Sequence, residues 1–315
     1  MDDPNTRNPL ILTTDQTDCF DEFGTPADCR GTGQDGEQSL GSDIRDERFG
    51  IDVDRVVDRL TGFEWARDAA LTGFPMDFSE AQALVADMNT SAMSGSATWR
   101  LPSRRQLFSL ISHHRINPAL PGDHPFRNVF NGYYWTGTTC ARLPDQAWVI
   151  HLGGGRVCNG MKRGSYMVLP VSGPEIEKKD GKDRFIITPS TVRDRRTRRT
   201  WVIDPTEDDR PMAWAQALDR IRRMNLSESL GFQDWRVPNI RELESLCALS
   251  RHSPALAFDG FRRRIRDGYW SSTTSRYDPR YAWVLYTRDG AVGVGFKPGK
   301  DFHVMAVRGW EAEPL

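Results

Sequence analysis

The sequence predicts two tandem α+β domains that are related by an internal duplication. A length of 315 residues suits two domains of ordinary size, and a 38% hydrophobic composition with ten Trp indicates globular cores. The chain also repeats itself, because Trp99-Arg100-Leu101-Pro102 recurs 136 residues later as Trp235-Arg236-Val237-Pro238. The same register holds at Arg48/Arg184, Trp65/Trp201, Asn89/Asn225 and, after one deletion, Trp148/Trp283. Agreement over so many positions indicates one fold used twice.

Charge and register divide the chain into four segments. An acidic N-terminal extension covers residues 1–47, with 12 Asp/Glu against 3 Lys/Arg. Copy 1 covers 48–173, a linker covers 174–183 and copy 2 covers 184–315. The extension could lie across one of the mildly basic copies or remain solvated, and the sequence leaves both alternatives open. The net charge of −1 excludes a globally basic nucleic-acid binder, and no apolar run is long enough to span a bilayer.

The first half of each copy reads as strands followed by two helices. Alternating apolar and polar residues predict a strand region over 49–65, repeated over 185–203. One-sided apolar spacing predicts a helix over 79–88, with Asp77 and Glu80 forming a capping box, and its counterpart over 212–224. Each Trp-Arg-x-Pro motif leads into a second helix, predicted over 104–112 and 240–249.

The last third of each copy reads as an antiparallel sheet. In copy 1 we expect strands over 133–139, 147–152, 157–161 and 166–171. Gly153-Gly154-Gly155 and, in copy 2, Arg288-Asp289-Gly290 predict hairpin turns. Two helices between an N-terminal strand region and a C-terminal antiparallel sheet define an α+β domain.

Taken together, these motifs resemble one bacterial family. They comprise the run Asp58–Trp65, Trp-Arg-x-Pro-x-x-x-x-Leu, Gly268-Tyr269-Trp270-Ser271-Ser272-Thr273-Thr274 and the closing Val307-Arg308-Gly309. They are similar to the C-terminal domain of the Legionella collagen-like protein. The stretch from Gln16 to Gly36 also resembles the leader of exported members of that family. The likeness covers nearly the whole chain, twice.

The resemblance implies a C-type lectin-like fold and a binding function. That fold is shared with formylglycine-generating enzymes and phage tropism determinants. We therefore expect a non-catalytic protein of the bacterial envelope or exterior that recognises a glycan or a surface protein, without a cofactor. One alternative is an assembly subunit that makes protein–protein contacts. Another is a formylglycine-generating-type oxidase, but this would need a close pair of reactive cysteines in the C-terminal half, where Cys247 stands alone.

Two groups of side chains invite a functional interpretation. The repeated Trp and Arg residues are expected to be structural, since they fill cores and lock strand–helix turns; they are Trp65, Trp99, Arg100, Trp201, Trp235 and Arg236. The last third of copy 2 offers aromatic and cationic recognition residues, because a rigid ring presents contact area at low entropic cost. These candidates are Arg276, Tyr277, Tyr281, Tyr286, Arg288 and Phe296, with Arg142, His151 and Arg156 in copy 1.

Five cysteines bear on the cellular compartment. A hairpin between Cys19 and Cys29 would bring them within disulfide range. Cys140 could bridge to Cys158, since Cys140 precedes one predicted strand and Cys158 lies on the next. Cys247 reads as a buried core thiol. Two bridges favour an oxidising compartment, so we expect an exported protein in the periplasm, at the cell surface or outside the cell. No leader is visible at Met1-Asp2-Asp3-Pro4, which keeps the cytoplasm as an alternative.

Two basic runs suggest a polyanion partner. They are the run from Arg193 to Arg199 and the run from Arg262 to Arg266, where clustered Arg could capture sulfate or phosphate groups. The alternative is that these Arg runs form a solvated face or contact the acidic extension. The acidic stretch from Asp15 to Asp35 lacks EF-hand spacing, so no metal site is predicted.

Overall fold

The structure, a computed structural model, describes residues 11–41, 47–90, 98–174, 184–203, 210–258 and 267–309. The chain divides into two compact units: Met1–Ser42 together with Lys179–Leu315, and Asp43–Lys178. Copy 1 is therefore a unit by itself, whereas the acidic extension belongs to the unit of copy 2. Of the two alternatives for the extension, the structure shows the one in which it packs on a folded copy.

The extension is a short disulfide-linked segment. Strands β1 (Cys19–Phe20) and β2 (Pro26–Ala27) pair antiparallel, and one helical turn, α1 (Asp35–Gln38), follows. The predicted Cys19–Cys29 disulfide is confirmed. The hairpin brings the two cysteines together because Cys19 lies opposite Ala27 in the β1–β2 register. The disulfide therefore closes a loop that contains the β1–β2 hairpin.

Copy 1 begins with an antiparallel sheet. Its strands are β3 (Phe49–Asp52), β4 (Arg55–Asp58) and β5 (Phe63–Ala66), which pair in that order. The predicted strand region thus folds as a meander, in which the alternation of β4 buries Val56 and Asp58. The last strand of copy 1, β9 (Val171–Ser172), returns to pair with β5.

Two helices and a hairpin sheet complete copy 1. They are α2 (Phe78–Thr90), α3 (Arg104–Ser109), β6 (Tyr133–Thr139), β7 (Gln146–His151) and β8 (Val157–Met161). The predicted capping box of α2 is confirmed: Glu80 N donates to Asp77 Oδ1 and Asp77 N donates to Glu80 Oε2, both at 2.9 Å. Strands β6 and β8 both pair antiparallel with β7, as predicted.

Copy 2 contains the same elements in the same order. Its N-terminal sheet consists of β10 (Phe185–Ile187), β11 (Thr191–Asp194) and β12 (Arg199–Val202), closed by β16 (Val307–Gly309). The remaining elements are α4 (Trp214–Leu226), α5 (Ile240–Ser245), β13 (Gly268–Thr274), β14 (Tyr281–Tyr286) and β15 (Val292–Phe296). Strands β13 and β15 both pair antiparallel with β14.

The duplication extends to individual hydrogen bonds. Arg48 pairs with buried Asp58, and Arg184 pairs in the same way with buried Asp194, each at 2.7 Å. The side-chain amide of Asn89 clamps the backbone of Trp99: its Nδ2 donates to Trp99 O, and its Oδ1 accepts from Trp99 N. In copy 2, the equivalent amide of Asn225 clamps Trp235. The shared motif residues therefore maintain the fold of each copy from within.

Three predictions need correction. The strand expected over 166–171 is mostly irregular, because its residues form only isolated bridges before β9. The helices expected over 104–112 and 240–249 end at Ser109 and Ser245. The strand region expected over 185–203 is interrupted within the run from Arg193 to Arg199, where the chain turns from β11 into β12, with Arg198 in the left-handed region at φ 51°.

The proposed Cys140–Cys158 bridge is also wrong, since both cysteines are free thiols. Cys140 follows β6, whereas Cys158 lies on β8 opposite Val149. Strand β7 runs between β6 and β8, so two inter-strand spacings of about 4.8 Å each separate the two cysteines. That distance exceeds the Cα separation of roughly 7 Å that a disulfide tolerates.

Cys247, expected to be a core thiol, is fully buried just after α5. Its backbone forms an isolated antiparallel β-bridge with Leu256. None of the helices in the described parts of the chain combines the length and apolar character needed to cross a membrane.

Candidate functional site

The unit of copy 2 contains a cleft of about 650 Å³ between the extension and helix α4. This volume falls in the range typical of small-ligand sites. Apolar lining is provided by Phe20, Phe23, Trp214, Ala215, Leu218, Ile221, Trp235 and Val237. Polar groups at the cleft include Asp21, Glu22, Gln34, Glu37, Gln38, Asp219, Arg222, Asn225 and Arg236. Of the aromatic rings, Phe23 is exposed, whereas Phe20, Trp214 and Trp235 are buried beneath the cleft surface.

Helix α4 is fixed at its first residue. Trp214 is buried, and its Nε1 donates to Ser271 O on β13 at 2.8 Å. The next turns of the same face bury Ala217 and Ile221 in the core, and Leu218 is partly buried beside them. The helix lines the cleft along most of its length, from Trp214 to Asn225.

Lys297 lies beneath this region without any solvent exposure. Its Nζ is 4.0 Å from the centroid of the Trp214 ring and donates to Phe20 O at 3.2 Å and Asp21 O at 3.1 Å. Burial lowers the pKa of Lys297 to about 7, although the charge of Asp21 acts in the opposite direction. Lys297, which directly follows β15, therefore contacts helix α4 through Trp214 and the extension through Phe20 and Asp21.

Two further buried contacts hold the extension on β13. Thr273 Oγ1 donates to Asp35 Oδ2 at 2.6 Å. Thr274 N donates to Gln16 Oε1 at 3.0 Å, and Gln16 Nε2 donates in return to Thr274 O. Burial raises the pKa of Asp35 to about 6, against the lowering effect of the Thr273 and Thr14 hydrogen bonds. The extension is thus seated by specific polar contacts, not by general charge attraction alone.

Several carboxylates of the cleft already have partners. Asp21 accepts hydrogen bonds from Thr25 N at 2.8 Å and Phe23 N at 2.9 Å, and the bond from Thr25 is the main cause that lowers its pKa. Glu37 accepts from Gly33 N at 2.7 Å. On α4, Asp219 pairs with Arg222. These contacts shape the polar groups before any ligand arrives.

The recognition residues expected in copy 2 lie in different settings. Tyr281 and Phe296 pack against each other with their ring centroids 5.4 Å apart and their planes inclined by 53°, and Phe296 is 44% exposed. Tyr277 is 70% exposed. Arg276 instead binds the extension, since it pairs with Asp18 at 2.9 Å and lies over the Phe20 ring. The structure therefore brings Tyr281 and Phe296 together and assigns Arg276 to the extension.

Tyr286 and Arg288 lie away from that aromatic pair. Tyr286 packs against the core, where its ring centroid is 5.8 Å from that of Phe302. Arg288 is exposed in the β14–β15 turn. Tyr286 therefore belongs to the core of copy 2, whereas Arg288 lies on its surface.

In copy 1, the three candidate residues do not form one site either. Arg142 is exposed in the β6–β7 turn, and Arg156 is exposed in the β7–β8 turn. His151, at the end of β7, packs edge-on against Tyr133 with the centroids 4.8 Å apart. Burial is the main cause that lowers the pKa of His151, and the charge of Arg156 adds to it.

The repeated Trp and Arg residues lie inside the copies. Trp65, Trp99, Trp201 and Trp235 are all buried. Arg236 pairs through both Nη atoms with buried Glu242, which also accepts from Arg199 Nε at 2.6 Å. Burial acts to raise the pKa of Glu242, but Arg236 and Arg199 outweigh it and hold the value at about 2. Arg100 donates to the carbonyls of Gly173 and Pro174 instead.

The sequence alone did not indicate a site role for Phe20, Trp214, Leu218 or Lys297. A signal was available, because Trp214 and Lys297 correspond to Phe78 and Lys162 in copy 1, where a lysine also lies over an aromatic ring. Of the basic runs, Arg199 is engaged with Glu242, and the run from Arg262 to Arg266 falls outside the described residues. Within the described ranges, no group of His, Cys, Asp and Glu could hold a metal ion.

The family comparison identifies the repeated unit. The family model described as the Lcl C-terminal domain matches residues 54–172 and again residues 190–308. Comparison with curated proteins returned no match. The two matched segments differ by the same 136 residues that separate the repeated motifs, and together they cover more than half of the chain. The chain therefore belongs to the Lcl C-terminal domain family and carries two tandem copies of that domain.

Proposed function

We propose that this chain is a non-catalytic binding protein of the bacterial envelope or exterior, built from two C-type lectin-like domains, whose cleft in the unit of copy 2 recognises a glycan. The observation that carries the proposal is the cleft of about 650 Å³ between the extension and α4. The order of strands, two helices and a hairpin sheet in each copy supports the fold. The Cys19–Cys29 disulfide supports an oxidising location.

The chemistry of the cleft suits a sugar. Aromatic rings stack on the apolar face of a pyranose, and hydroxyl groups are bound by carboxylates, amides and guanidinium groups. Phe23 is 69% exposed at the cleft, and Glu22, Gln38 and Arg222 provide polar partners nearby. The side of the cleft formed by the extension is preorganised for a ligand, since the disulfide and the buried Lys297 contacts fix the extension.

A catalytic role has less support. The oxidase alternative needs two neighbouring thiols, and the free thiols of Cys140 and Cys158 are separated by strand β7. Lys297, whose pKa is lowered by burial, does not line the cleft; its Nζ donates to two backbone carbonyls and it has no solvent exposure. A nucleophile must reach its substrate, so this arrangement favours a structural lysine.

A glycan array that includes sulfated polymers tests the proposal. The variant Ala215→Arg places a long side chain at the cleft, and Ser79→Arg is the matched control because Ser79 is the exposed counterpart in copy 1. We expect glycan binding that persists at high salt, is lost in Ala215→Arg and is retained in Ser79→Arg. Equal binding by both variants would contradict a glycan site in the cleft.

A second candidate function is recognition of a surface protein. The observation that favours it is an exposed apolar face on β14 and β15, where Val294 is 39% and Phe296 is 44% exposed and Tyr281 packs against Phe296. Such a face suits protein contacts better than a sugar, since it is carried by strands and not enclosed. Loss of cell-surface protein capture in Tyr277→Ala/Tyr281→Ala, with glycan binding unchanged, would favour this candidate.

A further inference from the structure

Copy 1 leaves exposed the strand end that the extension covers in copy 2. In β13, every residue from Gly268 to Thr274 is buried. In β6, the corresponding end is open, because Gly137 and Thr139 are exposed and Thr138 is half-buried. The two strands have the same neighbours in their own copies, so the difference marks the place that the extension occupies.

The lysine and the aromatic ring that lie beneath the extension in copy 2 have counterparts in copy 1. Lys162 corresponds to Lys297, and its Nζ lies 5.1 Å from the centroid of the Phe78 ring, as Lys297 lies over Trp214. The backbone contact is also the same: Phe78 N donates to Lys162 O at 3.0 Å, and Trp214 N donates to Lys297 O at 2.9 Å. Among the described residues, no carbonyl accepts from Lys162 Nζ in the way that Phe20 and Asp21 accept from Lys297.

The threonine at the strand end is retained as well. Thr138 Oγ1 accepts from Arg104 N at 3.0 Å, and Thr273 Oγ1 accepts from Ile240 N at the same distance. In copy 2, the hydroxyl proton of Thr273 is donated to Asp35. In the described part of copy 1, no acceptor takes the proton of Thr138. The same receptor groups are therefore present without the segment that would satisfy them.

We propose that this surface of copy 1, which consists of Phe78, Thr138, Thr139 and Lys162 and is called the open face below, binds an acidic extended segment of another protein. The segment would place backbone carbonyls on Lys162 Nζ and a carboxylate on Thr138 Oγ1, as the extension does in copy 2. An acidic ligand is favoured because Thr273, the counterpart of Thr138, donates its hydroxyl proton to the carboxylate of Asp35 in copy 2. Net charge around Lys162 does not decide this, since the exposed Arg142 and Arg163 are balanced by the carboxylates of Asp145, Asp77 and Glu80.

The occupant is a segment of another protein and not the extension of a second copy. Each chain holds its own extension through the buried Lys297 and Asp35 contacts, and these would have to break before it could be donated. The open face also differs from copy 2 where the extension has specific anchors: Ala141 stands in place of Arg276, and Ser103 in place of Asn239. The ligand therefore shares the chemistry of the extension but not its full set of contacts.

A synthetic peptide of residues 11–41 with the Cys19–Cys29 bridge formed is the probe. It is titrated against the full chain, in which the copy 2 site is occupied by the chain's own extension. We expect binding at one site per chain, weakened at least tenfold by Lys162→Gln. The control Arg127→Gln also removes one exposed positive charge from copy 1, at a distance in sequence from the open face, and should leave the affinity unchanged.

Three results would overturn the proposal. The first is no binding of the peptide by a chain whose folding is confirmed by circular dichroism. The second is equal loss of affinity in Lys162→Gln and Arg127→Gln, which would indicate general charge attraction. The third is concentration-dependent dimerisation of the full chain that Lys162→Gln abolishes, because the occupant would then be a second copy. The inference does not depend on the glycan proposal, whose cleft lies in the other copy.

Discussion

Lys297 Nζ lies 4.0 Å from the ring centroid of Trp214 and donates to two backbone carbonyls of the extension. The relationship places an ammonium group where both an aromatic face and two carbonyl oxygens stabilise it. It also makes the cleft dependent on the extension, since Phe20 and Asp21 belong to the cleft lining. The acidic segment before copy 2 is thus a structural part of the candidate site.

The first prediction concerns the disulfide. Cys29→Ser should destabilise the unit of copy 2 by roughly 2–3 kcal/mol, because the bridge restrains a short loop in the unfolded chain. It should also weaken ligand binding at the cleft, since Phe20 and Phe23 lie within the linked segment. Urea unfolding measures the first effect and binding titration the second. The control is Cys158→Ser, which removes a free thiol from copy 1; an equal loss of stability in both variants would contradict the prediction.

The second prediction concerns Asp35. Its pKa is raised from 3.8 to about 6, so the folded chain retains a proton that the unfolded chain has released between these values. This contribution to stability is complete below pH 3.8 and is lost as the pH rises through 6. The free energy of unfolding, measured by urea titration across that window, should fall less in Asp35→Asn than in the original chain. A pH profile unchanged by Asp35→Asn would show that another group carries the dependence.

The third prediction concerns Lys297, whose pKa is lowered from 10.5 to about 7. Between these values the unfolded chain holds a proton that the folded chain has released, so stability should rise as the pH increases from 7 towards 10.5. Lys297→Met keeps the length and apolar contact of the side chain without its charge, and should remove this rise. Hydrogen exchange of residues 11–41 offers a local readout. Identical alkaline profiles for the two proteins would contradict the prediction.

Asp35 and Lys297 together predict where the extension is held least firmly. The stabilisation from Asp35 is lost by pH 6, and the gain from Lys297 begins only near pH 7. These two contributions therefore leave a minimum between about pH 6 and 7, which the double variant Asp35→Asn/Lys297→Met should flatten. Exchange rates of the extension amides across this range measure it.

The sequence predicted the architecture well because the duplication repeats each signal. A capping box at Asp77 and Glu80, a Gly at φ 91° in the β14–β15 turn and strands over 133–139 and 157–161 depend on local residue chemistry. The cleft was not predicted, since it arises where the extension meets α4, far apart along the chain. One paired difference between the copies is nevertheless visible in the sequence. Asp234 and Arg308, which form an ion pair at 2.6 Å in copy 2, are replaced in copy 1 by Thr98 and Ser172.

The last prediction uses the duplication as its own control. Arg236 and Arg100 occupy the same motif position, but Arg236 neutralises Glu242, which is fully buried, whereas Arg100 donates to two carbonyls. Removing one partner of a buried ion pair costs about 3–5 kcal/mol when the remaining charge is left uncompensated, but Arg199 still binds Glu242 here. Arg236→Ala should therefore cost about 3 kcal/mol in the free energy of unfolding, at the lower end of that range. Arg100→Ala should cost only about 1–2 kcal/mol.

The acid limb of the stability profile distinguishes the two arginines further. The pKa of Glu242 is lowered from 4.5 to about 2, so its contribution is present above pH 4.5 and is lost as the pH falls through 2. Arg236→Ala should reduce that acid dependence, because Glu242 then loses the partner that stabilises its charge, while Arg100→Ala should leave it intact. Urea unfolding of both variants between pH 2 and 4.5 measures the difference. If the two variants cost the same and share one pH profile, the Arg236–Glu242 pair does not hold copy 2 together in the way its geometry indicates.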